Sequence, residues 1–339
     1  MPGEVRRGRC QAFVEARQID EASGVFLVKM PRRLRFTPED HLVEVTSRTI
    51  QSRFILLPRP EFEEITTGIL GRAQERTGMI IHGYSFQSNH YHLLLKPADS
   101  AQLARFMCLL NGNLAREAGR LYGWPGPVFA RRYSAIVVDN DEGAQADRLR
   151  YTMAQGCKEG LISSPREWPG ANCVNALLTG IPAVGIWFDR TREYRARHNG
   201  VVFGPRDFTS THRVVLSPLP CWEHLGSDQY RQRIEEIVID IESETAAQIR
   251  STGRKPPGAA FVRRMHPHDR PRETKRSPAP AFHAATRAAR ERLLAAYRLF
   301  VDAYRRAAER LARGDLAAVF PAHSFPPSLP YVRGPAACS

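Results

Sequence analysis

Cysteine pairs are missing from this sequence. Its six cysteines, Cys10, Cys108, Cys157, Cys173, Cys221 and Cys338, include no Cys-x-x-Cys and no framework spacing. That excludes a disulfide scaffold or a zinc ribbon and leaves reduced, structural thiols, with Cys157 expected in a core. Long apolar runs are missing as well. No stretch approaches the ~20 uninterrupted apolar residues of a membrane span, and the first residues, MPGEVRRGRCQAF, hold no apolar signal core. We therefore expect a soluble, cytoplasmic protein with no membrane partner. Acidic charge is in deficit, with 35 Asp+Glu against 49 Lys+Arg and a formal net charge of +14. No internal repeat is present.

What the sequence does hold is enough for a core. Its 339 residues are 42% hydrophobic and 25% charged, which excludes wholesale disorder and leaves room for two domains. The positive charge sits at the two ends. Residues 251–339 carry 17 Lys/Arg against 6 Asp/Glu, and residues 1–35 carry 8 against 4. Two basic ends around a near-neutral body suit a polyanion embraced by flanking segments, or else solubilising tails.

Residues 41–175 read as one α/β unit between a basic N-terminal arm (1–40) and a C-terminal extension (176–339). Leu42-Val43-Glu44-Val45-Thr46 has the alternation of a strand. A helix is predicted from Pro60 to Thr77, with strands at Met79–Phe86 and His90–Lys96 around a turn at Gln87-Ser88-Asn89. A longer helix, Ser100–Tyr122, has Leu103, Phe106, Met107, Leu110 and Leu114 on one stripe and Ser100 as its N-cap. A strand at Ser134–Val138 and a helix at Asp141–Lys158 complete the order β-α-β-β-α-β-α. This predicts an α+β, ferredoxin-like antiparallel sheet with packed helices. In the extension, residues 195–222 read as irregular loop and Tyr230–Arg250 as a helix. Residues 251–281 read as a Pro-rich basic arm and 283–313 as a strong helix, so the extension is mainly helical.

Two short motifs carry chemistry. In Asn89-His90-Tyr91-His92-Leu93-Leu94-Leu95, a strand points His90 and His92 to one face, their Cα atoms about 6.5–7 Å apart. Asn89, Tyr91, Leu93 and Leu95 then take the opposite, core-facing side. On spacing alone the pair is either a metal site or two metal-free histidines. In Arg148-Leu149-Arg150-Tyr151-Thr152-Met153-Ala154-Gln155, Tyr151 and Gln155 stand one turn apart on a helix face. That is a nucleophile with a companion amide, or a core tyrosine beside an exposed glutamine. His266-Pro267-His268-Asp269 lies in the Pro-rich arm without strand periodicity and is not read as a metal site. Trp124 and Phe129 flank a Pro-Gly turn and suit either base stacking or packing.

Taken together and in order, these parts resemble the HUH single-tyrosine transposases, specifically the REP-associated tyrosine transposases and their insertion-sequence relatives. The resemblance spans residues 40–175, about 40% of the chain. It rests on VTSRT at Val45–Thr49, GYSFQSNHYHLLL, the helix ending NGNLAREAGRLYG, VFARRYSAIVV, and LRYTMAQGCKEGLI followed by SPREWPGAN. Two stretches depart from the family pattern. Gln87-Ser88-Asn89 stands where Met-Pro-Asn is usual, and Gln155-Gly156-Cys157-Lys158-Glu159-Gly160 where many members have Asn-Pro-Val-Arg-Ala-Gly.

The resemblance implies the HUH endonuclease fold. It makes His90, His92 and Gln155 ligands of Mg²⁺ or Mn²⁺ and Tyr151 the nucleophile of a strand transferase acting on single-stranded DNA. The product would be a 5′-phosphotyrosine at hairpin or repeat ends. It places Arg131 and Arg132 at DNA phosphates, with Arg148 and Arg150 beside the tyrosine as further DNA contacts. It implies a bacterial, nucleoid-associated monomer or homodimer. The alternative is a domesticated protein that binds repeat hairpins without cutting them.

Overall fold

A computed structural model of the protein describes residues 33–204, 206–271 and 280–327. Most of the predicted N-terminal arm, residues 272–279 of the basic arm and the last twelve positions lie outside the described residues. The described residues divide into two compact units, 35–297 and 33–34 with 298–327.

The first unit begins with β1 (Leu42–Arg48), followed by α1 (Pro60–Thr77), β2 (Ile80–Phe86), β3 (His90–Lys96), α2 (Ser100–Tyr122), β4 (Ser134–Val138), α3 (Glu142–Met153) and α4 (Gln155–Lys158). Pro60 opens α1 and Gly78, at φ 66°, ends it in the left-handed region that a side chain disfavours. α2 is capped by Asp99, which accepts from the Gln102 amide at 2.5 Å, while Ser100 is already helical and donates to Thr37 instead. The predicted Ser100 cap is thus displaced by one residue, because the carboxylate one position earlier reaches the same orphan amides.

The strands pair in the order β2-β3-β1-β4, all antiparallel. This α+β arrangement is the ferredoxin-like order that the sequence predicts. A fifth strand joins from far along the chain: β7 (Phe282–His283) runs parallel to β4, so the sheet is mixed. One face of the sheet buries Val43, Val45, Tyr91, Leu93 and Leu95 in the main core, which also holds Phe62, Leu70, Phe106 and Leu110 of α1 and α2. α3 covers the other face. It comes close because β2 has a glycine there: a Cβ on Gly83 would lie 2.8 Å from Leu149 Cδ1.

Downstream come α5 (Val174–Thr179), β5 (Ala183–Phe188), α6 (Arg190–His198), β6 (Thr209–Val214), α7 (Ser227–Thr252), α8 (Ala259–Arg264) and α9 (Arg287–Ala312). Residues 195–222 are therefore not irregular as predicted; they hold the end of α6, β6 and a 3-10 turn at Pro220–Trp222. β5 and β6 form an antiparallel hairpin laid on α1. Glycines make the contact: Cβ atoms on Gly68 of α1 and Gly185 of β5 would fall inside the opposing backbone. Side-chain periodicity carries no trace of such backbone-to-backbone packing, which is why β6 reads as loop. The Pro-rich arm likewise contains α8, whose Val262 is fully buried. α9 contributes residues to both units. Within the second, the Tyr304 hydroxyl donates to the Phe325 carbonyl at 2.9 Å and its ring meets Phe320. No helix among the described residues is long and apolar enough to cross a membrane.

Candidate active site

The face of the sheet beneath α3 carries the polar residues. β1 and β3 pair Thr46 with His92 and Arg48 with His90, and directly opposed residues share a face. His90 and His92 stand side by side there, both buried, their ring centroids 5.2 Å apart at 84°.

Each imidazole is held by its Nδ1. His90 Nδ1 lies 2.6 Å from Asn89 Oδ1. The Asn89 amide nitrogen donates to the Ser52 carbonyl at 3.1 Å, which leaves its oxygen for the histidine. Asn89 therefore does not continue the core-facing row as predicted: it precedes the strand and folds back onto the ring of its neighbour. Ser52, which supplies that carbonyl, has φ 57°, and Gln51 before it has φ 52°. These are uncommon values for residues with side chains, and they mark a tightly specified turn. His92 Nδ1 donates to Glu44 Oε1 at 2.8 Å, and the Thr46 hydroxyl lies 3.3 Å from the same nitrogen. With Nδ1 engaged in both rings, Nε2 is the remaining nitrogen of each. Burial, then the neighbouring His92 and Arg48, push the His90 imidazolium down to about 3, so the ring is neutral.

The tyrosine helix arrives at the same place. The Tyr151 ring lies 5.3 Å from His92, edge-on at 79°. The predicted continuous helix over 141–158 breaks instead at Ala154, between α3 and α4. At the break the Gln155 side-chain amide donates to the Tyr151 carbonyl at 2.8 Å, and Gln155 is buried, not exposed. The same side chain also hydrogen-bonds His90. His90, His92, Tyr151 and Gln155 are thus brought together.

The predicted arginines part company. Arg148 lies inside the site, where Nη1 donates to Glu44 Oε2 at 2.8 Å and Nη2 to His283 Nδ1 at 2.8 Å. Its guanidinium sits 4.9 Å over the Tyr151 ring, and Lys158 Nζ lies 4.2 Å over it. Arg150 is paired with Glu244 of α7 at 2.5 Å. Arg131 and Arg132 are exposed in the loop before β4. Trp124 is held by His268 at 5.0 Å and its indole N–H donates to the Pro127 carbonyl, while Phe129 packs on Tyr91 at 5.9 Å. The His266 and His268 rings stack on each other, and the His268 carbonyl accepts from Arg53. Cys157 is a core thiol pushed up to about 11 by burial.

Sequence reasoning missed Glu44, Lys158 and His283. Glu44 is 1% exposed. Burial pushes its carboxyl up, but the hydrogen bond and charge of His92, together with Arg148, outweigh that and hold it below the ordinary value. Its signal was present: Glu44, Thr46 and Arg48 are polar at every second position of an otherwise apolar strand.

The donor set fits a divalent cation with open coordination positions. Among the described residues no group of three His, Cys, Asp or Glu side chains is placed to hold a metal. What is placed is two buried imidazoles side by side, with the Gln155 side-chain amide beside them. Imidazole nitrogens suit transition-metal ions and an amide oxygen suits Mn²⁺ or Mg²⁺, so the mixed set favours Mn²⁺ over Mg²⁺; three such ligands would leave room for water and phosphate oxygens.

No family model matches the chain, and no curated protein matches it. Among solved structures the chain is similar to a REP-associated tyrosine transposase bound to a REP hairpin, at 12% identity and a TM-score of 0.35, over 44% of this chain and 85% of that one. It is also similar to a "putative transposase" from Deinococcus radiodurans R1, at 17% identity and a TM-score of 0.26, over 35% of this chain and 95% of that one.

Proposed function

We propose that the protein is a metal-dependent endonuclease and strand transferase of single-stranded DNA, with Tyr151 as its nucleophile. The observation that carries this is the meeting of Tyr151 with His92 at 5.3 Å beside a second buried histidine and a buried amide. A core tyrosine would need none of those neighbours.

His90, His92 and Gln155 would hold Mg²⁺ or Mn²⁺, which when bound polarises a scissile phosphate. The protein's own residues do the rest. Tyr151 Oη attacks phosphorus, the bond from phosphorus to the 3′ oxygen breaks, and a 5′-phosphotyrosine and a free 3′-hydroxyl result. The phenolic proton passes to solvent and the departing 3′ oxygen takes one up. Because the phosphodiester is conserved in the covalent intermediate, a 3′-hydroxyl attacking it rejoins strands without ATP. Lys158 and Arg148 bring positive charge within 4.2 and 4.9 Å of the Tyr151 ring, where a strand's phosphate must approach. Exposed Arg131 and Arg132 supply backbone contacts that position the strand without reading its sequence. The substrate is a strand able to form hairpins, whose folded stems the basic ends are suited to embrace.

The test is incubation of the full chain with labelled single-stranded oligonucleotides bearing candidate hairpins, with Mn²⁺. A covalent adduct on a denaturing gel is expected, lost with chelator and in Tyr151→Phe. Tight binding with no adduct in any divalent metal would favour the binding protein that no longer cuts.

A further inference from the structure

Glu44 lies near the middle of β1, a carboxylate with 1% exposure on the sheet face under α3. A buried charge persists only where partners replace the water it has lost, and both of its oxygens have one. Oε1 accepts from His92 Nδ1 and Oε2 from Arg148 Nη1, each at 2.8 Å. Arg148 in turn spends Nη2 on His283 Nδ1, also at 2.8 Å. Tyr151 touches both partners of Glu44, at 5.3 Å from the His92 ring and 4.9 Å from the Arg148 guanidinium. The contacts therefore close on themselves: one carboxylate links the histidine and the arginine that flank the tyrosine.

His283 reaches this place on a strand that the four-stranded sheet does not need for its own closure. β7 is two residues long, and it is pinned beside β4 by hydrogen bonds from Val137 N to Ala281 O and from Asp139 N to His283 O. Phe282, Val137 and Leu293 form a separate small core with Phe36 and Tyr297 packed against it. The apolar anchor on one side of β7 thus fixes the imidazole on the other.

We propose that Glu44, Arg148 and His283 are positioning residues forming a brace: Glu44 holds His92 in the tautomer that frees Nε2, Arg148 clamps Tyr151 beside it, and the strand after residue 280 supplies the brace's last support. An ionised carboxylate only accepts, so the His92 nitrogen facing it must carry the proton. Partners of this kind orient metal-binding histidines and set their basicity. An arginine donating to Glu44 alone has a free end; His283 takes that end and fixes the guanidinium over the tyrosine. The inference rests on the proposed roles of His92 and Tyr151, but the brace itself is a property of the metal-free protein.

The test uses the full chain without metal, followed by titration with Mn²⁺ alone. Long-range ¹H–¹⁵N spectra of the histidine rings are expected to show His92 protonated at Nδ1 only. In Glu44→Gln, whose amide can donate as well as accept, both tautomers should appear and Mn²⁺ affinity should fall by about 10–100-fold. Because loss of a buried charge partner can unfold the chain, His283→Ala and His283→Asn form the second arm. His283→Ala should weaken Mn²⁺ binding by roughly threefold or more, whereas His283→Asn, which restores an acceptor for Arg148, should bind like the wild type. A single His92 tautomer and unchanged affinity in Glu44→Gln would overturn the proposal, as would equal loss in both His283 variants. Absence of a DNA adduct alongside the expected tautomer and Mn²⁺ results would overturn the strand-transfer function and leave the brace standing.

Discussion

The Tyr151 ring meets the His92 ring edge-on, 5.3 Å between centroids and 79° between planes, although the two belong to a helix and a strand 59 positions apart in sequence. Gly83 on β2 allows the approach, since a Cβ there would sit 2.8 Å from Leu149 Cδ1 on the same helix as the tyrosine. Gly83→Ala is expected to push α3 off the sheet, destabilise the protein by about 1–3 kcal/mol and reduce adduct formation more than stability alone explains. Gly185→Ala is the control, because it collides with α1 under the hairpin and away from the tyrosine. Urea unfolding and adduct yield, measured on both, separate the two effects.

Metal binding is predicted to stabilise the fold. Mn²⁺ at ~100 times its Kd should add about 2.7 kcal/mol to the wild type by mass action. Calorimetry should show the corresponding rise in Tm shrink or vanish in His90→Ala and His92→Ala. A rise equal to the wild type's in both would place the metal elsewhere.

Acid sensitivity has an identifiable source outside the site. His82 occupies the irregularity in β2 pairing between Ile81 and Gly83, so its ring leaves the ladder; it is buried and Nδ1 lies 3.0 Å from the Ser217 carbonyl. Burial pushes its imidazolium down to about 4. The unfolded chain, with an ordinary value near 6.5, binds the proton first, so stability present at neutral pH is lost as pH falls below that value. Between pH 7 and pH 5 the loss from His82 is about 2 kcal/mol. His82→Gln should flatten urea stability over that window relative to the wild type.

Salt dependence should separate the arginines. Binding to single-stranded DNA weakens with salt at about 0.7 logarithmic units per phosphate contact. Arg131→Ala combined with Arg132→Ala should flatten that slope by about 1.4, while Arg150→Ala, already paired with Glu244, should barely change it. Anisotropy titrations at several salt concentrations decide this.

The sheet and its histidine pair were legible because they rest on local pattern. Alternation in HYHLLLK places the two imidazoles on one face and Tyr91, Leu93 and Leu95 on the other, and Pro60 and Gly78 bound α1 cleanly. What was not legible depends on distant partners. The two-residue strand that brings His283 to Arg148 has no periodicity of its own, and the two residues lie 135 positions apart in sequence. The β5–β6 hairpin is specified by close backbone contacts at Gly68 and Gly185, which no hydrophobic pattern records. The helix break at Ala154 turns on the Gln155 amide meeting the Tyr151 carbonyl, a detail that i, i+4 spacing alone does not reveal.

The most direct measurement is mass spectrometry of tryptic peptides after reaction of the full chain with a hairpin oligonucleotide and Mn²⁺. A deoxynucleotide phosphate linked to the peptide that contains Tyr151, absent when Mn²⁺ is withheld, is the predicted result. A nucleotide linked to any other residue, or cleaved DNA with no protein-linked product, would contradict it.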